Sequence, residues 1–353
     1  MPGTAARHLD GLVRRCYVGL DATALRVEML GRLRSVVPAD AAFFATVDPA
    51  TMLFTSAVSE EPLIAAAARF LDNEIGATDV NRFADLAAAR DPVSSLDSAT
   101  QGDRRASPRY TEIMAPMQLG DELRIALKAG GHCWGVLCLH REDVPGGFTD
   151  REAAILRRVG PHLAEGLRRA NLLAAPALAD GPAGTGIVIL DHELSVLSVN
   201  PAAEFWLSEI AETDWPRAAE LPVAVYAAVA QLERIENDGQ PARLEPGVRL
   251  RTAAGRWVAV HASRLTGPTG VQTAIVLEPA TPGQLVSIYL SAHGLTPAQT
   301  RVAGLVLQGR NTKQIVAELH LSSYTVQEHL TAVFDKFGVR SRRDLVATLM
   351  TRR

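Results

Sequence analysis

The clearest fold signal in the chain lies in residues 295–346, which read LTPAQTRVAGLVLQGRNTKQIVAELHLSSYTVQEHLTAVFDKFGVRSRRDLV. Thr296 is a favourable N-cap, Pro297 suits the first helical position, and Gln299 completes a capping box three residues after the cap. Gly309 is the residue type that commonly follows a helix C-terminus. A first helix is therefore predicted between Thr296 and Gly309.

Three more helices are predicted after Gly309. A short helix starts at Thr312, and a longer third helix starts within Ser322–Thr325. The third helix carries apolar residues at intervals of three and four, which places them on one face; they are Val326, Leu330, Val333, Phe334 and Phe337. Ser341 starts a fourth helix. A helix, a short turn and a second helix with a polar outer face are typical of a helix-turn-helix.

The third helix must offer polar groups on the face opposite its apolar stripe if it reads DNA. Those residues are Tyr324, Gln327, Glu328 and Thr331. A glutamine amide can pair with adenine through two bonds, and a glutamate can accept from cytosine. Groups near helix N-termini suit phosphate; the candidates are Lys313, Ser322, Ser323 and Thr325. Solvated side chains without DNA contact are the alternative interpretation of the same face.

These residues resemble the LuxR/NarL-type DNA-binding domain across residues 294–350. The matching positions are Leu295, Thr296, Pro297, Gly309, Lys313, Ile315, Leu319, Leu321, Ser322, Thr325, Val326, His329, Leu330, Phe334, Lys336, Gly338, Val339, Ser341 and Arg342. The resemblance implies four helices, with the third in the major groove and the fourth available for dimer contact. It adds Lys336, Arg340 and Arg342 to the candidate DNA contacts, the last two within a basic run.

The sequence departs from that family pattern at four positions, which are Gln299, Val316, Gln327 and Glu328. The family usually has glutamate at position 299 and alanine at position 316, and it commonly has lysine or arginine at position 327. Glu328 adds an acidic group to the predicted reading face. The last two departures bear on base preference rather than on the fold.

The N-terminal segment, residues 1–173, resembles a GAF sensory domain. The residues that carry the likeness are CWGVLCLHRE (133–142) and GGFTDREAAILRRVGPHLAEGLRRA (146–170). Periodicity and turn residues predict the elements of this segment. They are helices at Leu20–Val37, Glu61–Leu71 and Thr149–Leu173, strands at Ala41–Val47 and Met52–Val58, and a hairpin of Leu119–Ala129 with His132–His140.

Residues 185–280 resemble a PAS sensory domain, because two short strands are followed by VNPAAE, which opens a helix. Strands are predicted at Gly186–Leu190, Leu194–Val199, Val248–Thr252, Arg256–Arg264 and Val271–Glu278, with a helix at Val223–Ile235. Pro/Gly-rich linkers are expected at Ala174–Gly184 and Glu278–Gly283. The predicted fold class is α+β multidomain, with two antiparallel-sheet sensory domains before an all-α four-helix domain at 281–353.

Charge and composition fit a cytoplasmic DNA-binding protein. Of the 353 residues, 47% are hydrophobic and 21% are charged, and no run of about 18 apolar residues or signal peptide is present. Residues 295–353 hold nine Lys/Arg against four Asp/Glu, a net charge of +5. Because the whole chain has a net charge of −3, the rest of the chain carries a net charge of −8. A basic module on an acidic body is expected where one end contacts phosphates.

Three cysteines, Cys16, Cys133 and Cys138, are too few and too scattered for a disulfide framework. Cys133 and Cys138 lie five apart on one predicted strand and so face opposite sides. Packing is the expected role, with redox sensing or ligand binding as the alternative. His132 and His140 flank that strand, but the sequence shows too few converging ligands to predict a metal site. Whether the protein binds a cofactor, and which one, is left open by the sequence.

Together these features predict a sequence-specific transcriptional regulator whose DNA binding or oligomerisation responds to a signal sensed by the GAF-like and PAS-like region. The expected partners are double-stranded DNA, a small-molecule ligand in either sensory domain, a second copy of the chain, and RNA polymerase. No catalytic motif is present, so no enzymatic activity is expected. The alternatives are a GAF-like enzyme or a protein-interaction adaptor carrying an accessory helix-turn-helix.

Overall fold

The computed structural model describes residues 2–76, 78–143, 146–173, 184–211, 221–238, 247–268 and 270–351. The chain divides into two compact units. One comprises residues 1–128 and 133–279, and the other comprises residues 129–132 and 280–353. The predicted linker Ala174–Gly184 lies outside the described residues except for Gly184.

The first part of the larger unit is built on an antiparallel sheet of five strands within the described ranges, in the order β2-β1-β5-β4-β3. The elements are α1 (Pro2–Arg15), α2 (Ala22–Leu33), β1 (Ala41–Val47), β2 (Phe54–Ser59), α3 (Ala67–Ile75), α4 (Phe83–Ala88), β3 (Val93–Ser95), α5 (Leu96–Thr100), β4 (Leu119–Ala129), β5 (His132–Glu142) and α6 (Asp150–Leu173). The predicted bounds of β1 and β4 are confirmed. Neither α1 nor the elements between Phe83 and Thr100 were predicted from the sequence.

Helix α6 packs directly on this sheet, and two glycines allow the approach. A Cβ added at Gly135 would lie 2.6 Å from the Leu167 side chain, and one added at Gly160 would lie 2.4 Å from that of Ile125. The apolar stripe of α6, which includes Leu156, Leu163 and Leu167, is fully buried within the chain. Thr149 and Glu152 form a capping box at its start, because the Glu152 N–H donates to the Thr149 hydroxyl and the Thr149 N–H donates to the Glu152 carboxylate.

The second part of the larger unit contains another five-stranded antiparallel sheet in the described chain, in the order β7-β6-β10-β9-β8. Its elements are β6 (Gly186–Leu190), β7 (Val196–Val199), α7 (Pro201–Ile210), α8 (Val223–Asn237), β8 (Gly247–Arg251), β9 (Trp257–Gly267) and β10 (Gly270–Pro279). Asn200 caps α7 by accepting from the Ala203 N–H at 2.9 Å, as the VNPAAE motif suggests. The order of elements follows the prediction, and the PAS likeness itself stays a prediction.

Helix α8 is buried on both sides. It packs on β8 and β9 of its own sheet, and also on α3 and β2 of the first sheet. Its sequence, VAVYAAVAQLERIEN, is apolar around most of its circumference, which is typical of a fully buried helix. The small alanines Ala224, Ala227 and Ala228 are completely buried and permit close approach on both faces. One apolar core therefore extends from the first sheet to the second.

The C-terminal part of the smaller unit is helical. Its helices are α9 (Pro282–Ala292), α10 (Pro297–Leu307), α11 (Thr312–Leu319), α12 (Ser323–Phe337) and α13 (Arg342–Thr351). Helices α10 to α13 are the four predicted from the sequence. Helix α9 was not predicted, and it packs against α10 and α13. It begins inside the predicted linker Glu278–Gly283, whose first two residues end β10.

These elements confirm the α+β multidomain class, with antiparallel sheets followed by a helical C-terminal region. Within the described ranges, no helix has both the length and the apolarity that crossing a membrane would require.

Candidate functional site

Local capping fixes both helices of the helix-turn-helix. Asn311 caps α11 by accepting from the Gln314 N–H at 3.0 Å, and the Gln314 side chain accepts in return from the Asn311 N–H at 2.9 Å. His320 ends α11 in the left-handed conformation, and Ser322 begins α12 by accepting from the Thr325 N–H at 3.0 Å. Because side-chain hydrogen bonds set the start of each helix and a left-handed residue ends α11, the turn has a defined geometry.

The predicted reading face of α12 is exposed in the structure. Val326, Leu330 and Val333 are buried, and the opposite face presents a polar row of Tyr324, Gln327, Glu328 and Thr331. Tyr324 is 73% exposed, an unusual position for a large aromatic side chain. The Thr331 hydroxyl donates to the backbone carbonyl of Gln327 at 3.0 Å, so its oxygen lone pairs face outward.

The candidate phosphate contacts differ in what they already bind. Lys313 is exposed in the first turn of α11, and Ser323 is exposed at the start of α12. Ser322 and Thr325 are engaged with each other, because their hydroxyl oxygens lie 2.9 Å apart and Ser322 is the helix cap. Lys313 and Ser323 therefore have the freer polar groups for an incoming phosphate.

Two basic residues predicted as DNA contacts form hydrogen bonds within the domain, and their contact with DNA stays a prediction. The Lys336 ammonium donates to the carbonyl of Gly294 at 2.6 Å and to the Gln299 side chain at 2.8 Å. The Arg342 guanidinium donates to the carbonyl of Arg310 at 2.9 Å and to the Thr312 hydroxyl at 2.8 Å. These bonds fix the ends of α12 and α13 to the loops before α10 and α11. Arg340, the third such residue, is exposed.

A second polar site lies inside the first sheet. The buried guanidinium of Arg109 donates to Oε1 of Glu122, to Asn73 and to the carbonyl of Val80. Arg124, also buried, donates to Glu74 at 2.6 Å. These bonds fix charged side chains beside a cavity of about 40 Å³. Its lining includes Phe43, Phe54, Ser59, Phe70, Phe83, Glu122, Arg124, Cys138 and His140.

Three potential ligand residues meet at this cavity. One donor atom from each of Glu122, Cys138 and His140 lies within 4.8 Å of the other two, and all three residues are buried. Burial lowers the pKa of His140 to about 4. Burial would raise the pKa of Glu122, but Arg109 and Arg124 lower it to about 2. Burial also raises the pKa of the Cys138 thiol well above its ordinary value.

This cluster was not predicted from the sequence, although a signal was present. The prediction considered Cys133 together with Cys138, which face opposite sides of a strand. Cys138 and His140 lie two apart on β5 and therefore share a face. The third member, Glu122, comes from β4, which neighbours β5 in the sheet.

Comparison with known proteins identifies both ends of the chain. Residues 293–349 match the family model described as bacterial regulatory proteins, luxR family, and residues 13–167 match that of the GAF domain. The GAF match confirms the prediction made for the N-terminal segment. A solved structure that is similar to part of this chain is the GAF domain of an Acinetobacter phosphoenolpyruvate-protein phosphotransferase. It is 12% identical, covers 48% of this chain and 96% of that one, and has a TM-score of 0.35.

Two curated proteins of Bacillus subtilis (strain 168) are similar to the C-terminal part. The transcriptional regulatory protein DesR is 32% identical over 65 residues, which are 18% of this chain and 33% of DesR. The spore germination protein GerE is 36% identical over 56 residues, which are 16% of this chain and 76% of GerE. The chain thus spans about a third of DesR but most of GerE. With its luxR-type helix-turn-helix preceded by a GAF domain, the chain belongs to the luxR family of bacterial regulatory proteins.

Proposed function

We propose that the protein is a sequence-specific, DNA-binding transcriptional regulator whose DNA binding or oligomerisation responds to a signal received by its GAF and PAS-like region. The observation that carries the proposal is the exposed polar row Tyr324, Gln327, Glu328 and Thr331 on a capped second helix of a helix-turn-helix. A helix whose opposite face is held in a core presents such a row to the major groove at a fixed angle.

In this proposal, base contacts and phosphate contacts come from different residues. Gln327 and Glu328 read base edges, and Tyr324 and Thr331 flank them. Lys313, Ser323 and Arg340 neutralise or bind phosphates, with Ser322 and Thr325 supplying the ordered N-terminus of α12. Lys336 and Arg342 act mainly by holding the helices in place, because their donors are already used within the domain.

A second copy of the chain is a proposed partner, since one helix-turn-helix reads only a short half-site and pairing doubles the contacts at a fixed spacing. The exposed surface of α13 is the better candidate for pairing than α6, whose apolar stripe is buried within the chain. RNA polymerase is a further proposed partner. The proposed place of action is the cytoplasm, where DNA is available.

The proposal includes no enzymatic activity. A thiol-based reductase needs a resolving thiol close to the reactive one. Cys138 lines the cavity of the first sheet, but Cys133 lies five residues along the same strand, roughly 16 Å away at the usual strand rise. That separation is too large for a disulfide without moving the backbone.

Selection of genomic fragments by the full-length protein tests the proposal. The selected fragment and a scrambled duplex of equal composition are then compared by fluorescence anisotropy across a salt series. We expect the selected fragment to bind at least about 10³-fold more tightly than the scrambled one, with a steep salt dependence for both. Equal affinity for the two duplexes would overturn sequence-specific regulation and favour the adaptor. Repeating the titration with the small-molecule fraction of a cell extract tests the response to a signal.

A further inference from the structure

The geometry of the first sheet brings a carboxylate, a thiol and an imidazole to one point. Cys138 and His140 alternate on β5 and face the same side, and Glu122 reaches them from the adjacent strand β4. The Cys138 sulfur lies 3.4 Å from Oε2 of Glu122. Sulfur and oxygen ligands of one tetrahedral ion, at bond lengths of about 2.3 and 2.0 Å, are separated by roughly the same distance.

The second observation is a buried nitrogen with nothing to bind. Nδ1 of His140 is fully buried and has no hydrogen-bond partner in the part of the chain that the structure describes. The side chain is 2% exposed and lines the cavity of about 40 Å³. Buried polar groups are nearly always paired, and one that is not calls for a functional explanation.

We propose that Glu122, Cys138 and His140 bind a divalent transition-metal ion of the zinc and iron class. Thiolate and imidazole are ligands preferred by zinc and iron, whereas magnesium and calcium prefer oxygen ligands. A single carboxylate completes a common mixed donor set. Three protein ligands leave a fourth coordination position, as in metal sites that bind an exchangeable molecule. The adjoining cavity is large enough for water or for a ligand of a few non-hydrogen atoms.

Glu122 is oriented for this role by its neighbour. Arg109 donates from two nitrogens to Oε1 of Glu122, which leaves Oε2 directed at Cys138. A carboxylate held through one oxygen by a buried guanidinium, whose other oxygen accepts only from the Cys138 thiol at 3.4 Å within the described residues, is suited to monodentate coordination once that thiol gives up its proton. Partners of this kind fix the direction of a metal ligand and contribute to affinity.

The buried charges also balance with a divalent ion. Around the cluster, the carboxylates of Glu74, Asp79 and Glu122 face the guanidiniums of Arg109 and Arg124. These five groups sum to one negative charge. Coordination by the Cys138 sulfur releases the thiol proton to solvent and adds a second negative charge. One divalent cation then neutralises the cluster, which reduces the free-energy cost of burying it.

The test uses the full-length protein after chelator treatment and dialysis, titrated with Co²⁺ as the probe. We expect one cobalt ion per chain and a thiolate-to-cobalt charge-transfer band in the near ultraviolet, both displaced by Zn²⁺. Cys138→Ser should abolish the band, and His140→Gln should weaken Co²⁺ binding by at least about tenfold. Cys133→Ser is the matched control, because it removes a buried thiol from the same strand outside the cluster, and it should retain both the band and the affinity.

Two outcomes would overturn the site. One is a wild-type protein that binds no Co²⁺ or Zn²⁺ in stoichiometric amount. The other is a charge-transfer band that disappears in Cys133→Ser and persists in Cys138→Ser. Since a buried substitution can disturb folding, circular dichroism of each variant accompanies the titration, and the wild-type stoichiometry decides the question by itself. DNA binding is not part of the readout, so the metal site and the proposed regulatory function can fail separately.

Discussion

Arg249 on β8 donates from Nε and Nη2 to one carboxylate oxygen of Asp48, at 2.8 and 2.7 Å, although the two residues belong to different sheets. Asp48 follows β1 directly, and its side chain is completely buried. Its other carboxylate oxygen accepts from the Ala50 N–H at 2.9 Å. The ion pair therefore joins the GAF domain to the PAS-like part at the edge of their common apolar core.

Replacing Arg249 with methionine should destabilise the protein. The substitution keeps most of the side-chain length but leaves the Asp48 carboxylate buried without its cation, which typically costs several kcal/mol. Because Arg249 keeps some solvent access, we expect the free energy of unfolding to fall by about 2–4 kcal/mol. Urea denaturation measures this change. Arg234→Met is the control, since Arg234 forms a half-exposed pair with Asp238, and its effect should stay below about 1 kcal/mol.

Asp72→Asn should instead increase the free energy of unfolding at neutral pH. Asp72 on α3 lies near α8. Its pKa is raised first by partial loss of solvent around a carboxylate that still reaches the surface, and then by the carboxylate of Glu233. A carboxyl whose folded-state pKa is raised weakens the fold at a pH where it is ionised, and this loss disappears as the pH falls through that pKa. The variant should therefore be more stable than wild type at pH 7, by at most about 0.5 kcal/mol for this exposed group. The gain should vanish on acidification. A lower stability at pH 7, or a pH-independent gain, would contradict the interpretation.

Lys313→Ala should weaken DNA binding regardless of sequence. Lys313 is exposed in the first turn of α11, where an ammonium neutralises one phosphate and displaces a counterion. The slope of log affinity against log salt should fall by about 1 for each bound site. Affinities for the selected fragment and for a scrambled duplex should decrease by the same factor. An unchanged slope would remove Lys313 from the phosphate contacts.

Gln327→Ala should weaken DNA binding at the preferred site only. Its amide presents a donor and an acceptor from the exposed face of α12, and these match the edge of adenine. Affinity for the preferred site should fall by about 1–3 kcal/mol, while binding to scrambled DNA and the salt slope change little. If both duplexes are weakened equally, the reading face is assigned wrongly. Glu328 would then need reassignment as well, because both placements depend on the same helical phase.

Lys336→Met separates a structural lysine from a DNA-contacting one. The substitution removes two hydrogen bonds, to Gly294 and Gln299, and should lower the free energy of unfolding by about 1 kcal/mol. The salt slope of DNA binding should match that of wild type. A slope reduced as in Lys313→Ala, with unchanged thermal stability, would instead show that Lys336 leaves its internal partners to bind phosphate.

Much of the fold followed from local sequence signals. Capping residues such as Thr296, Asn200 and Thr149 and the glycine pair in the β4–β5 hairpin predicted element boundaries to within a few residues. Helix α9 shows how such a signal can be overlooked. Thr281-Pro282-Gly283-Gln284 repeats the Thr-Pro-x-Gln pattern that opens α10, and both form full capping boxes. Gly283, a poor helix former, made the first copy resemble a linker.

The parts that escaped prediction depend on contacts between distant residues. The network around Arg109 joins residues from 73 to 122, and its polar side chains resemble solvated loop residues when read one by one. Lys336 and Arg342 were assigned to DNA because basic residues in a helix-turn-helix commonly contact phosphate. Only the folded chain shows that backbone carbonyls lie within their reach. Pairing partners of this kind have no fixed sequence spacing.

The position of helix α8 limits which parts of this protein can be exchanged for parts of other proteins. Because one face of α8 covers the first sheet and the other covers the second, the GAF domain and the PAS-like part share this helix in their common core and do not form interchangeable modules. A chimaera that joined residues 1–173 to a foreign output domain would present apolar residues of β2 and α3 to water. Natural or engineered exchange of the sensory region is expected to succeed only when the GAF domain and α8 are inherited together.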